Sequence, residues 1–387
     1  MNKCTTLLED LLSPIDRSVF QKMVDKFKGD FRMRTTSTWD LFKNCVFAQV
    51  TGAAGMREII ELLKSNRSKL YHNGMSEIPL STFSDSLNRH NPKIFEKIFY
   101  EVVGLARSLS AKNNFKFKNP LKIIDASTIE LCLKKFNWAK FRKRKGAVKL
   151  HAKIDGDSLY PEQVVMTNGN VHEVKTLNHL TRERGVIYVM DRGYVDFKSL
   201  YNIELRNSYY VTRMKKGCSH EVIKVFNHSD TDAVRYDAEI KLTGAKTKDL
   251  YPHTIRMVKY HDDEHNRDYV FITNNMTLCA QEIADIYKAR WQVELFFKWI
   301  KQNLKIKSFW GTSKEAVFSQ IWIALIVSVL LWIHKHTKTI KQSAHQILQM
   351  LKTTILTKNS ILLLCSPPEK IPKPPNRPGL ILEGWLW

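Results

Sequence analysis

Residues 321–333, IWIALIVSVLLWI, are thirteen consecutive positions with no charge and a single hydroxyl, Ser328, in a chain of 387 residues. Such a run cannot lie on a surface, because every face of it is apolar whichever regular structure it takes. It is too short to span a bilayer comfortably. It predicts a helix buried against a sheet, and so a core large enough to need most of the chain around it. A chain of this length carries a soft expectation of two or three domains.

The rest of the sequence is strongly basic, with 61 Lys and Arg against 38 Asp and Glu and a formal charge of +23. An excess of that size attracts polyanions, either nucleic acid or an acidic membrane surface. Its uneven spread favours nucleic acid. Residues 134–149 hold eight basic side chains and no acid, residues 301–387 hold twelve against three, and acids gather between Glu221 and Asp268. That segregation fits a surface that follows a phosphate backbone. No basic amphipathic helix or lipidation signal stands out, so a membrane partner is not expected. The six cysteines are scattered without paired spacing and the first residues carry acids where a secretory signal would be apolar, which points to a cytoplasmic protein.

Taken in order, the chain changes texture twice. Residues 1–118 repeat apolar side chains at three and four and read as an all-α domain for binding DNA, with Ser84, Asn88 and Arg89 on the polar side of a helix suited to a major groove. From 119 to 213 strands alternate with helices: LKIIDASTIEL, VKLHAKID and EQVVMTNG form a meander, then a helix over Val174–Arg184, VIYVMD, a helix over Phe197–Leu205, and SYYVTRM. Residues 214–267 read as a mainly β insertion, and 268–340 resume the sheet and hold the buried helix. The segment 341–387 is a short helix followed by a Pro-rich basic tail, SPPEKIPKPPNRPG. The expected class is therefore α/β, a mixed sheet covered by helices in the ribonuclease H-like layout, behind a helical N-terminal domain.

Two aspartates stand out in that layout. Asp125 interrupts an apolar strand and Asp191 ends another, and a carboxylate there costs several kcal/mol unless a metal or a cation compensates it. If their strands lie side by side, the two meet at one edge. Further on, YKARWQVELFFKWIK predicts one continuous helix with Tyr287, Arg290, Glu294 and Lys301 on a stripe within roughly 60° of arc. Taken alone, such a stripe is most often a solvated face. Together with the aspartates it predicts three carboxylates that hold two Mg²⁺ ions, beside cations that hold phosphates.

DASTIEL around Asp125, DRGY from Asp191 to Tyr194, and Tyr-x2-Arg-x3-Glu-x6-Lys from Tyr287 to Lys301 resemble the DDE transposases of bacterial insertion sequences, in the family marked by that Tyr-Arg-Glu-Lys signature. The resemblance implies that Asp125, Asp191 and Glu294 are the catalytic metal ligands, for Mg²⁺ with Mn²⁺ as a possible substitute. It implies that Tyr287, Arg290 and Lys301, with Arg213, grip DNA. Members act as homodimers on paired terminal inverted repeats, nick one strand, form and reopen a hairpin, and join the 3′ ends to target DNA. Lys149 and His151 are similar to family positions, although a plain role as strand residues is at least as well supported. Better-known relatives stack a flipped base on a tryptophan of the insertion, yet here no Trp falls between Trp138 and Trp291, which leaves Tyr236, Tyr251 and Tyr260 as substitutes. Two other readings stay open on the residues: a nuclease of the same fold that never joins strands, and an inactive DNA-binding repressor of the element.

Overall fold

The structure is a computed structural model and describes residues 5–33, 36–110, 119–142, 145–229 and 231–366. The Pro-rich tail expected from the sequence falls outside these residues.

Seven helices open the chain: α1 (Leu7–Leu12), α2 (Arg17–Lys26), α3 (Thr38–Thr51), α4 (Met56–Ser65), α5 (Arg67–Leu70), α6 (Leu80–Arg89) and α7 (Lys93–Ser110). Their ends are set locally. Thr6 and Ser37 close capping boxes with Glu9 and Asp40, which satisfies backbone N–H groups that the first turn leaves without partners. Gly52 ends α3 in the left-handed region at φ 78°, where a side chain would be strained.

Next come β1 (Leu121–Leu131), β2 (Lys140–Arg142), β3 (Lys145–Asp155), β4 (Pro161–Asn168), α8 (Val174–Leu180), β5 (Ile187–Met190), α9 (Phe197–Leu205) and β6 (Tyr209–Arg213). Four more strands follow, β7 (His220–His228), β8 (Val234–Leu242), β9 (Ile255–Asp262) and β10 (Arg267–Thr273), and then α10 (Ala280–Ala289), α11 (Trp291–Asn303), α12 (Lys314–Thr337), α13 (Ala344–Thr354) and α14 (Ile361–Leu364). The helix expected to reach Arg184 stops at Leu180, and the backbone carbonyl of Thr181 instead accepts from the Arg206 guanidinium at 2.6 Å.

All ten strands belong to one sheet, in the order β2-β3-β1-β5-β6-β10-β9-β8-β7, with β4 also paired to β3. β1 runs antiparallel to β3 and parallel to β5, and β5 runs parallel to β6. This is the ribonuclease H-like arrangement. The strands of the 214–267 segment extend that sheet through β10 rather than forming a separate one, and its outermost strand, β7, is exposed along its whole length. Inside the extension, Arg256 makes a buried two-pronged pair with Asp237 (2.9 and 2.7 Å) and donates to the Leu278 carbonyl (2.5 Å), which ties β8 and β9 to the loop before α10.

The apolar run lies in α12, whose N-terminus is capped by Ser313. By length and composition this helix could cross a membrane, but its most apolar stretch is almost entirely buried within the protein. Its neighbours differ from the expectation. It packs chiefly along α7 and against α3, α6 and α13, and among the described residues its main approach to the sheet is at β4. Trp322 stands 5.2 Å from Phe99 of α7, and the Trp332 indole donates to the Ser158 carbonyl at 2.7 Å. With no Gly or Pro in 24 residues and both faces apolar, α12 can be enclosed on every side, and helices enclose it more fully than one face of a sheet does.

Where β1 enters the sheet, Lys122 is buried between Asp155 (2.9 Å) and Glu162 (2.8 Å), with the ordinary tendency of burial to neutralise a lysine outweighed by those two carboxylates. This pairing fixes β1 against β3 and β4 about 10 Å before Asp125.

Candidate active site

β1 is buried at its first four residues and opens at Asp125. Ile124 of β1 pairs with Met190 of β5 in parallel register, so the next residues, Asp125 within β1 and Asp191 just past the end of β5, sit at the same level. β5 stops there while β1 runs on paired to β3, which leaves that side of Asp125 open. Asp191 has left the ladder and starts a short turn, Arg192–Tyr194, with its carbonyl accepting from the Tyr194 N–H at 3.0 Å.

The stripe expected on one helix is carried by two. α10 ends at Ala289 and α11 begins at Trp291, and Arg290 between them stays in the right-handed helical region at φ −53°, ψ −30°. The break is a tightening: the Arg290 N–H bonds the Tyr287 carbonyl and the Val293 N–H bonds the Arg290 carbonyl, both at 3.1 Å and both spanning three residues. The polar side chains keep a common direction through it.

Arg290 occupies the middle of the site. Its Nη1 donates to Asp125 Oδ2 at 3.1 Å and its Nη2 to Glu294 Oε1 at 2.5 Å. Arg213, at the end of β6, donates through Nη2 to Asp191 Oδ1 at 3.0 Å, and the Tyr287 hydroxyl donates to the same oxygen at 3.3 Å. The Tyr287 ring lies between the two guanidinium groups, 5.8 Å from that of Arg213 and 5.7 Å from that of Arg290. Lys301 does not join the carboxylates. Its Nζ donates to the Thr128 carbonyl at 2.9 Å, three residues beyond Asp125 on β1.

The electrostatics separate the two aspartates. Burial pushes the Asp125 carboxyl up to about 6, with Asp191 and Glu294 adding to the rise and the Ala126 N–H and Arg290 opposing it. Burial also acts on Asp191, but the Arg192 N–H and Arg213 outweigh it and hold that carboxyl below its ordinary value. Burial raises the Tyr287 phenol to about 12 against the pull of both arginines. Lys301 is held below its ordinary value by burial and by Lys307.

Three donors at the site are buried without acceptors: the Nε atoms of Arg192, Arg213 and Arg290. The Tyr194 hydroxyl, 1% exposed, is likewise buried with no partner. The DRGY run points to Tyr194 in the sequence, but nothing there assigns it a position among the carboxylates. Guanidinium groups with unpaired N–H donors suit an oxyanion, and three neighbouring carboxylates offer the oxygen ligands that a hard cation takes. Among the described residues, the three ligand-type side chains whose ligand atoms all lie within 4.8 Å of one another are Asp262, Glu264 and His265, in the exposed turn between β9 and β10. Asp125, Asp191 and Glu294 do not meet that spacing, because the Arg290 guanidinium stands between Asp125 and Glu294. By donor type the three carboxylates fit divalent ions, and in this arrangement the Arg290 guanidinium takes the place of a cation on two of them.

Other expectations divide. Asn88 and Arg89 are exposed on α6, and Asn88 also accepts from the Ser313 hydroxyl at 2.7 Å, which links α6 to the start of α12. Lys149 pairs with Glu173 at 2.9 Å, and His151 is fully buried with Nε2 on the Thr167 hydroxyl at 3.0 Å, both ordinary strand arrangements. Tyr251 is fully buried with its hydroxyl on Glu204, which removes it as a stacking surface; Tyr236 and Tyr260 are half-buried. Trp291, beside Arg290, is 57% exposed.

Residues 116–330 match the family model described as "Transposase DDE domain", and residues 3–76 match one described as a domain of unknown function (DUF4372). The chain is 30% identical over 230 residues to the probable transposase for insertion sequence element IS5377 of Geobacillus stearothermophilus, covering 59% of this chain and 60% of that protein. It is 32% identical over 260 residues to the putative transposase y4zB of Sinorhizobium fredii, covering 65% of this chain and 72% of the relative. Among solved structures, a piggyBac transposase in a synaptic complex with hairpin DNA superposes with a TM-score of 0.54 at 11% identity, over 96% of this chain and 84% of the other, a likeness of fold. With Asp125 inside β1, Asp191 just past β5 and Glu294 on α11 held by Arg290 and Arg213 on a ribonuclease H-like sheet, and with that family model matched over more than half its length, the chain belongs to the DDE transposases of bacterial insertion sequences.

Proposed function

We propose that this chain is a cut-and-paste transposase that binds the terminal inverted repeats of its element as a homodimer and catalyses Mg²⁺-dependent strand cleavage and strand transfer. The observation that carries this reading is the convergence of Asp125, Asp191 and Glu294, far apart in sequence, on one end of the sheet. Asp125, Asp191 and Glu294 are the catalytic ligands of two Mg²⁺ ions, with Mn²⁺ able to replace them. When bound, the ions activate the attacking water or 3′-hydroxyl and stabilise the leaving oxygen.

The chain's own residues position the DNA. Arg290 and Arg213 carry the planar fork that takes a phosphate through two parallel bonds, and both stand beside the carboxylates. Tyr287 holds the two guanidinium groups apart and lends a hydroxyl on the same side. Lys301 sits further along β1, where it meets the next stretch of backbone. Phosphoryl transfer asks mainly for such positioning and charge neutralisation. A hairpin step needs an exposed aromatic face for an unpaired base, and Trp291 supplies one next to Arg290. Residues 1–118 form the DNA-binding domain, 119–213 and 268–340 the catalytic core, 214–267 its insertion, and 341–387 the C-terminal segment. The protein works in the cytoplasm at the nucleoid.

The test is Glu294→Gln, incubated with Mg²⁺ and duplexes that carry the element's ends. Nicking should fall by about 100-fold or more, while duplex binding in EDTA persists. Undiminished cleavage refutes the assignment, and cleavage by the wild type with no joined product when target DNA is present returns the nuclease reading.

A further inference from the structure

Arg290 does two jobs that exclude one another. Its guanidinium is 14% exposed, bonds Asp125 and Glu294 at once, and so lies on the carboxylate oxygens that a divalent ion needs. The same group is a planar fork suited to a phosphate. Arg290 pairs Asp125 and Glu294 and Arg213 pairs Asp191, so each of the three carboxylates already has a guanidinium partner in this arrangement. Adding divalent ions with Arg290 still in place would crowd cations on shared oxygens in a half-buried site, where repulsion is poorly screened. A DNA phosphate offers Arg290 another partner of equal charge and better geometry.

Resting on the metal-site reading above, we infer that Arg290 is a stand-in cation, a positioning residue that keeps the carboxylates neutralised and the metal site closed until DNA draws its guanidinium away. Metal loading is then coupled to DNA occupancy through one side chain. The helix junction makes the exchange local: Arg290 is the single residue between α10 and α11, anchored on the Tyr287 carbonyl, so its side chain can turn from carboxylates to phosphate without moving either helix. Coupling of this kind is reciprocal, so metal must favour DNA binding by the factor by which DNA favours metal.

The experiment measures Mn²⁺ binding directly, by loss of the free-ion electron paramagnetic resonance signal, on the full chain with and without end duplex. Arg290→Gln without DNA should bind Mn²⁺ about tenfold more tightly than wild type, within the usual range of coupling between sites. Duplex should tighten Mn²⁺ binding by the wild type by a similar factor and change it by less than about twofold in the variant. Lys298→Gln removes the same charge from an exposed lysine of α11 that pairs with no carboxylate among the described residues and should leave DNA-free Mn²⁺ affinity within about twofold of wild type. Equal or weaker Mn²⁺ binding by Arg290→Gln overturns the inference, as does equal tightening by Lys298→Gln, which would make the effect one of general charge. If Arg290→Gln does not fold, the wild type decides alone, since Mn²⁺ affinity indifferent to duplex overturns the inference too. Absence of Mn²⁺ binding in every form, with no change on Asp125→Asn, would instead overturn the metal-site reading itself.

Discussion

Replacing Asp125 by Asn should make the metal-free protein more stable at pH 8, with a gain that fades toward pH 4. The carboxyl is 19% exposed and burial lifts it to about 6, against about 3.9 in an unfolded chain. Between those values the native chain keeps a proton that the unfolded chain has released, so native stability drops as pH rises through the window and the full cost is present above pH 6. A difference of that size corresponds to about 3 kcal/mol. The amide carries no charge to desolvate and can still accept from the Ala126 N–H, which donates to Asp125 Oδ1 at 2.8 Å. Arg290 loses one carboxylate but keeps Glu294. That loss trims the gain to roughly 1–3 kcal/mol. Urea unfolding in EDTA at pH 4.5, 6 and 8 reads the difference as a shift in midpoint at constant slope. A variant less stable than wild type at pH 8, or a gap that does not widen between pH 4.5 and 8, would refute the reasoning.

Two further outcomes follow from the packing and the charge map. Trp322→Ala empties a site between α12 and α7 and should cost about 3–5 kcal/mol, with helical and sheet signals lost in one transition on heating. Lys301→Gln should weaken binding to end duplexes and lower the slope of log affinity against log salt by about one, as removal of a single phosphate contact does.

Much of the site was legible because its signals are local. An aspartate inside a β-branched run needs compensation wherever the run folds, and a three-and-four spacing keeps Tyr287, Arg290 and Glu294 on one side even across a tightened turn. The order of strands and helices allowed β1 and β5 to lie side by side without requiring it, and the structure pairs them in parallel. What escaped was set by partners distant in sequence. Nothing in IWIALIVSVLLWI distinguishes a sheet from a ring of helices as its surroundings, since both offer only apolar contact. Tyr251 reads as an available aromatic until Glu204, 47 residues away, is seen to take its hydroxyl. The position of Arg290 between two carboxylates is equally invisible, because spacing along a helix says which way a side chain points and not which of several oxygens it reaches.

The enclosure of α12 bears on how such a chain can be inherited. Two separately recognisable stretches, 3–76 and 116–330, are joined around α12, which packs on α3 of the first and on α6 and α7 of the segment between them. Exchange between elements of the helices ahead of β1 would have to preserve the shape of a groove made by α3, α6 and α7, so they and α12 must drift together. A gene truncated ahead of β1 would leave that helix bare, and its product would meet proteases before it met an element's ends.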